Sequence, residues 1–555
     1  MKKTTLPAGD KISLLAPEGE FKYFSLGENT ANDLAVDFIA ENISDNASEK
    51  EIIRNILLEM PTDERVINYR REVYSELKEN EELCEMLYRI FDSLRFYFND
   101  KPAHIGETST ILEFLNRLRA LEGYISSILQ IRDVISDREF RSEGMRRFAA
   151  HVRDIYTNSG FDELEKDISV VGDDIHNIKS MTIGVNFDHS FYPKETGIIS
   201  FNKFYFTRQG VLKRFIRSRR ESLNDKDLQF FEMEMHNDGF DWMDQKYRGI
   251  PSPTNRPTDS LLMNNLNTIM ERMLPSMTQK LKKVLNKYVD VSGRNLVTLA
   301  DEFLFYMRFI GLEKKLAELG MPCCVGEMSE NDSFLCDFYN VKLAICRLNG
   351  MVDEDIVCND IEFTNDRTVH ILTGPNRGGK TILTQGVGLV FLMEQTGVFV
   401  PASSARIRPC DGIYTHFPVD EEKTVSLGRL GEEADRFNSI CRTAGRDSML
   451  LFNESFATTS HTESLYIAED VLKYLCCIGA RTVFNTHMHE LAENADQISS
   501  VEGAVCKADS VVMDSSNGER SYKISYKKPD GKSYAHDIAY KYGITFEQLS
   551  EKLKK

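Results

Sequence analysis

The sequence predicts an α+β multidomain protein in which a mostly helical region is followed by an α/β domain. Three observations predict it. Between about 29 and 320, apolar residues recur at spacings of three and four, the mark of helices with one buried face. From about 326 onward, short β-branched or aromatic runs alternate with helical patterns, as in a sheet flanked by helices. The chain has 555 residues, 41% hydrophobic and 28% charged, which suits a globular protein with several cores. The expected parts are 1–105 (a first helical part), 106–325 (a second helical region with a small hairpin near 180–206) and 326–555 (the α/β domain).

Charge and cysteine usage narrow the class. Lys+Arg is 68 and Asp+Glu 86, a balance of −18, which opposes an overall coating of nucleic acid or lipid but leaves room for a local basic groove. The eleven cysteines are scattered and form no CxxC pair, as expected of reduced thiols in a cytoplasmic protein with no structural metal. The start, MKKTTLPAGDK, has no apolar stretch behind its lysines and does not read as a signal peptide. The apolar run at 389–393 is far too short to span a membrane.

In chain order, AVDFIAENI, EIIRNILLEM, NEELCEMLYRIFDSLRFYF and STILEFLNRLRALEGYISSILQIRDVI read as helices, and Thr62-Asp63 as the entry to ERVINYRREVYSEL. SMTIGVNFD and TGIISFNKFYF, around Pro193, read as a hairpin inserted among helices. The stretch 218–257, with acidic clusters, PSPTNRP and Trp242, reads as a loop or a reduced insertion. Two more helical patterns follow, LLMNNLNTIMERMLPSMTQKLKKVLNKYV and NLVTLADEFLFYMRFIGLEKKLAELG. The strands of the last part are VHILTG, SMLLFN, RTVFNTH and YKISY.

The most specific motif follows the first of those strands. Gly374, Pro375, Asn376, Arg377, Gly378, Gly379, Lys380 and Thr381 form G-x-x-x-x-G-K-[ST], and 382–394 then reads as a helix. Glycines let successive backbone N–H groups turn onto phosphate oxygens, and the helix N-terminus adds its dipole. Lys380 supplies charge for the β- and γ-phosphates of ATP, and Thr381 a hydroxyl for Mg²⁺. The strand SMLLF ends in Asn453-Glu454, where such a domain presents acids toward Mg²⁺ and toward the attacking water. Glu454 fits a general base, and Asn453 offers only a neutral amide, reaching Mg²⁺ through water. His487, after RTVFN, is placed to sense the γ-phosphate or to cap the strand. His487 and His489 would share a face if that strand continued, but no third ligand is near enough in sequence for zinc.

These residues resemble the MutS family of mismatch-repair ATPases. TGPNRGGKT is similar to the family's TGPNMGGKS, LLFNESFATTS to its second acidic strand (usually Asp-Glu), and VFNTHMHEL to its ATHYFEL-type switch. GVFVPA at 397–402, DGIYTHF at 411–417, VCNDI around Asn359-Asp360 and the SYG-like segment 531–539 add to the likeness. ILLEMPTDERVINYRREVYSEL and SMTIGVNFDHSFYPKETGIISFN extend it, more weakly, into the helical part. The resemblance implies a helical core and lever or clamp feeding a P-loop (ABC-type) ATPase domain, in a homodimer with composite ATP sites. Ser426, in SLGRLGE, would then meet the γ-phosphate in trans or belong to a surface loop. Ile356 and Val357 would flank the adenine. The family's N-terminal mismatch reader and the C-terminal nuclease of one subfamily are expected to be missing, Asn453 replaces an acid, and Arg377 replaces Met.

A basic run, Arg208, Lys213, Arg214, Arg217, Arg219 and Arg220, and a second group, Lys280, Lys282, Lys283 and Lys287, are candidates for DNA phosphates or solvated helix faces. The reading is therefore a dimeric, ATP-hydrolysing clamp, acting on a DNA structure or in a mismatch-repair-related role. Two alternatives stay open: an ATP-gated dimerisation scaffold stalled by Asn453, and an ATPase with a protein or RNA partner.

Overall fold

The computed structural model describes residues 12–98, 111–176, 178–191, 193–202, 275–288, 294–375, 378–418, 429–456, 460–516, 519–529 and 545–553. The chain divides into two compact units.

One unit is formed by Met1–Ile12, Arg89–Arg138 and Ala149–Ala300. Its helices include Ile111–Ile135, Ser159–His176 and Pro275–Lys287. Leu118, Leu121, Ile128, Phe161, Leu164, Leu281 and Leu285 are buried there. Lys287 closes one end of that packing, with Nζ 2.7 Å from Asp167 and 2.5 Å from Glu163. A hairpin of two antiparallel strands follows the second helix, Ser180–Phe187 and Pro193–Asn202. The stretch 218–257, with Trp242, lies outside the described residues.

The other unit comprises Ser13–Tyr88, Glu139–Phe148 and Asp301–Lys555. Its N-terminal helices thus belong to the same unit as the sheets. Asp63 caps the helix Glu64–Glu79, its carboxylate accepting from the Arg65 N–H at 2.9 Å. Arg71 of that helix ion-pairs with buried Glu394, and Gln395 donates to the carbonyls of Pro61 (2.9 Å) and Cys410 (3.0 Å). In this unit β1 (Tyr23–Ser25) pairs with β2 (Glu59–Pro61). The hairpin strands already given are β3 and β4. A small sheet contains β5 (Glu327–Met328), β6 (Ser333–Phe338), β7 (Asn359–Phe363) and β9 (Ser404–Ile407), in the order β5-β9-β6-β7.

The main sheet adds β8 (Arg367–Thr373), β10 (Ile413–His416), β11 (Met449–Asn453), β12 (Arg481–Asn485), β13 (Lys507–Ser516) and β14 (Glu519–Tyr526), in the order β10-β11-β12-β8-β13-β14. All neighbours are parallel except β13 and β14. Central β11 and β12 are buried along their whole length, which suits the apolar run 449–452 of β11, while β12 carries Arg481, Thr482 and Asn485 around Val483 and Phe484. Phe452, Phe484, Leu472 and Leu475 form the core between sheet and helices. The order puts the C-terminal ends of β8, β12 and β11 side by side, the usual place for a ligand in an open parallel sheet. Among the described residues no helix is long and apolar enough to cross a membrane, and all eleven cysteines are free thiols.

Candidate functional site

The site begins where β8 ends. Gly374 has φ 147°, and a Cβ there would sit 2.7 Å from Met513 Cβ, so the chain can turn beneath β13 only with glycine. Gly379 (φ 91°) caps the helix Lys380–Thr396 in the left-handed conformation. Asn376 and Arg377 lie outside the described residues.

Lys380 is 5% exposed, and its Nζ donates to the carbonyls of Gly374 (3.1 Å) and Pro375 (3.2 Å). Burial pushes its pKa down, against the pull of the Glu454 carboxylate. Thr381 Oγ donates to Asn453 Oδ1 at 2.9 Å, and the Asn485 amide donates to the same oxygen. Thus β8's loop, β11 and β12 meet in one polar cluster.

Glu454 follows β11 with φ 49°, held there by its N–H donating to Asn485 O at 2.8 Å. Such a conformation is unfavourable for a residue with a side chain and persists only when its surroundings fix it. Ser455 supplies part of that hold. Its hydroxyl is 2.7 Å from His416 Nδ1 and 3.1 Å from His416 O, and Phe456 stacks on the His416 ring at 5.6 Å. Burial pushes the His416 pKa down to about 4, so the ring is neutral at ordinary pH.

A cavity of about 470 Å³ opens beside these groups. Gly378, Gly379, Lys380, Thr381, Glu454, Ile356 and Val357 line it together, so residues far apart in sequence converge on one space. Tyr522 also lines it, its ring 3.1 Å from where a Cβ on Gly379 would lie. Sequence reasoning missed Tyr522. Its position depends on Asn359, whose amide donates to Tyr522 O (3.0 Å) and accepts from Ile524 N–H (2.9 Å).

The two histidines do not behave as a pair. The strand stops at Asn485 and a short helix starts at His489, so the shared strand face expected of His487 and His489 does not form. His487 is exposed and is not among the cavity's lining residues. His489 Nδ1 is buried with no partner among the described residues, and burial, reinforced by Lys380, lowers its pKa. Among the described residues no group of three His, Cys, Asp or Glu could hold a metal. Ser426, the segment 531–539 and the run Arg208, Lys213, Arg214, Arg217, Arg219 and Arg220 lie outside the described residues. In the second basic group, Lys287 is committed to Asp167 and Glu163, and Lys282 sits 5.2 Å over the Phe114 ring.

The arrangement suits a polyphosphate. A buried ammonium whose hydrogen-bond partners among the described residues are carbonyls, the loop glycines Gly378 and Gly379, and a helix N-terminus all line the cavity. For magnesium the described residues offer the Thr381 hydroxyl, backed by an amide rather than an acid, with the Glu454 carboxylate on the same cavity.

Comparison with known proteins agrees with this class of site. Residues 370–550 match the family described as MutS domain V, an ATPase-type domain, and residues 62–319 match the MutS2 N-terminal domain. Over these two stretches the chain is similar to proteins of the MutS family. It is 35% identical over 156 residues to the DNA mismatch repair protein MutS of Chlorobium chlorochromatii, covering 28% of this chain and 18% of that one. It is 33% identical over 147 residues to DNA mismatch repair protein MutS 2 of Halobacterium salinarum, 26% of this chain and 17% of the other. It is 32% identical over 196 residues to Endonuclease MutS2 of Streptococcus equi subsp. equi, 35% and 24%. The matches thus span 17% to 24% of these relatives' lengths.

Proposed function

We propose that the chain is a P-loop (ABC-type) ATPase that binds ATP with Mg²⁺, hydrolyses the β–γ bond, and works as a cytoplasmic homodimer on DNA. In this reading 1–105 and 106–325 form the helical core and the lever or clamp, and 326–555 the ATPase domain. The supporting observation is the convergence of Lys380, Thr381 and Glu454 on one cavity whose wall includes Ile356 and Val357. Lys380 and the backbone of Gly374–Gly379 hold the phosphates, and Thr381 presents its hydroxyl oxygen to the metal. Bound Mg²⁺ would offset charge on the β- and γ-phosphates. Glu454, fixed beside Lys380, orients the attacking water and takes its proton. Ile356, Val357 and Tyr522 enclose the base. His487 senses the γ-phosphate, and Ser426 of a second copy completes the site. The basic run around Arg208, Lys213, Arg214 and Arg217 carries the DNA phosphates.

Steady-state hydrolysis tests this. Glu454→Ala should lower turnover by about 10²- to 10⁴-fold while nucleotide still binds. Wild-type turnover no higher than that of Lys380→Ala would end the enzyme reading.

A second reading has one observation in its favour: the Thr381–Asn453–Asn485 cluster carries no charge. There the chain is an ATP-gated dimerisation scaffold with stalled turnover. In single-turnover hydrolysis, a large gain in Asn453→Asp marks that case.

A further inference from the structure

The polar cluster under the phosphate loop includes Asn485, which is not among the residues lining the cavity. Asn485 lies wholly inside the sheet, at the end of β12, with Asn453 of β11 and Leu372 of β8 as its Cα partners. Its backbone carbonyl accepts from the Glu454 N–H. Its side-chain amide donates to Asn453 Oδ1, and its own Oδ1 is buried with no donor among the described residues. A buried acceptor without a donor costs stability. A residue kept only for packing would be expected to be apolar here.

The reason lies in the asymmetry of an amide. A carboxylate at position 453 would present equivalent oxygens, so rotation of the group would change nothing. An amide has one acceptor face and one donor face, and a half-turn exchanges them. Thr381 Oγ donates its proton to Asn453 Oδ1 at 2.9 Å, which leaves the hydroxyl lone pairs free for a cation. With the Asn453 amide reversed, an N–H₂ would face the hydroxyl, compete for those lone pairs and repel a cation. With its own N–H₂ turned toward Asn453, as it is here, Asn485 opposes that orientation, because the N–H₂ requires an acceptor at the same place. The two donors, Thr381 and Asn485, fill both acceptor sites of Asn453 Oδ1.

We propose that Asn485 is a positioning residue for the metal-facing hydroxyl: by donating to Asn453 it locks a neutral amide in the one orientation that lets Thr381 serve magnesium. The inference deepens the nucleotide reading above and rests on it. It also explains why an amide is tolerated at 453, a position where an acid would need no such lock.

The test is a double-mutant cycle on the full chain with Asn485→Ala, Asn453→Asp and the pair, probed with a non-hydrolysable ATP analogue. Two quantities are read: the magnesium concentration for half-maximal retention of the analogue, and the thermal midpoint without nucleotide. Asn485→Ala should raise the magnesium midpoint about tenfold, with the thermal midpoint unchanged or higher. In the Asn453→Asp background the same change should leave the magnesium midpoint where it was. Asn485→Leu, which keeps the volume and removes the donor, replaces the alanine variant if that one fails to fold. Equal shifts in both backgrounds, or no shift in the Asn453 background, overturn the proposal. Failure of every folded chain, wild type included, to retain the analogue refutes the nucleotide reading and takes this inference with it.

Discussion

Glu302 shows how far one residue's environment can move its chemistry. Its carboxyl is buried, accepting from the Leu14 N–H (2.5 Å) and the Ser13 hydroxyl (2.8 Å). Tyr306 OH donates to Leu14 O at 2.8 Å and Tyr69 OH to Ser13 O at 2.7 Å, so the segment is held from both sides. Burial outweighs these donors and nearby Arg70, and raises the pKa from 4.5 to about 7. The folded chain then holds a proton that the unfolded chain releases. Stability from this group is complete below pH 4.5 and is lost as pH rises to about 7. The loss is about 3 kcal/mol. Denaturant titrations across that window should show the fall in wild type and a flatter profile in Glu302→Gln. Parallel profiles would contradict the assignment. Glu302 was not legible in the sequence, where it is one acid on an amphipathic helix. Lys380 and Glu454 were legible because their chemistry is tied to motif spacing. Tyr522 was not, because its place depends on Asn359, far away in the chain.

Among the elements, the long helices and the central strands announced themselves. β11 is buried and almost wholly apolar, and β8 and β12 carry β-branched or aromatic residues at buried positions, so local composition marked them. β13 was missed, since KADSVVMDSS mixes acids and serines into a strand whose pairing with β8 and β14 decides its state. The small sheet was missed for a related reason. β7 alternates buried and exposed residues over only five positions, and β5 has two residues. Its partners come from distant parts of the chain, so no local window contains the signal. The companionship of the first helices with the sheets was likewise invisible. It rests on side-chain pairs such as Arg71 with Glu394 and Arg436 with Asp33 (2.8 Å).

For the whole molecule, a net charge of −18 means that any DNA contact must be local. If the run containing Arg208, Lys213, Arg214 and Arg217 meets DNA phosphates, duplex affinity should fall steeply with salt. The log–log slope should shrink by about one for each arginine removed. A flat response across plain, mismatched and branched duplexes would remove DNA from the reading and favour a protein or RNA partner. Nucleotide binding itself belongs to the cavity beside Lys380 in the reading proposed above. Its most direct measurement is an equilibrium titration of labelled ATP with Mg²⁺ into wild type and Lys380→Ala. Saturable binding of one nucleotide per chain is expected, weakened about 30- to 100-fold by the substitution. A folded wild-type chain that binds no nucleotide, or a variant that binds equally well, would contradict it.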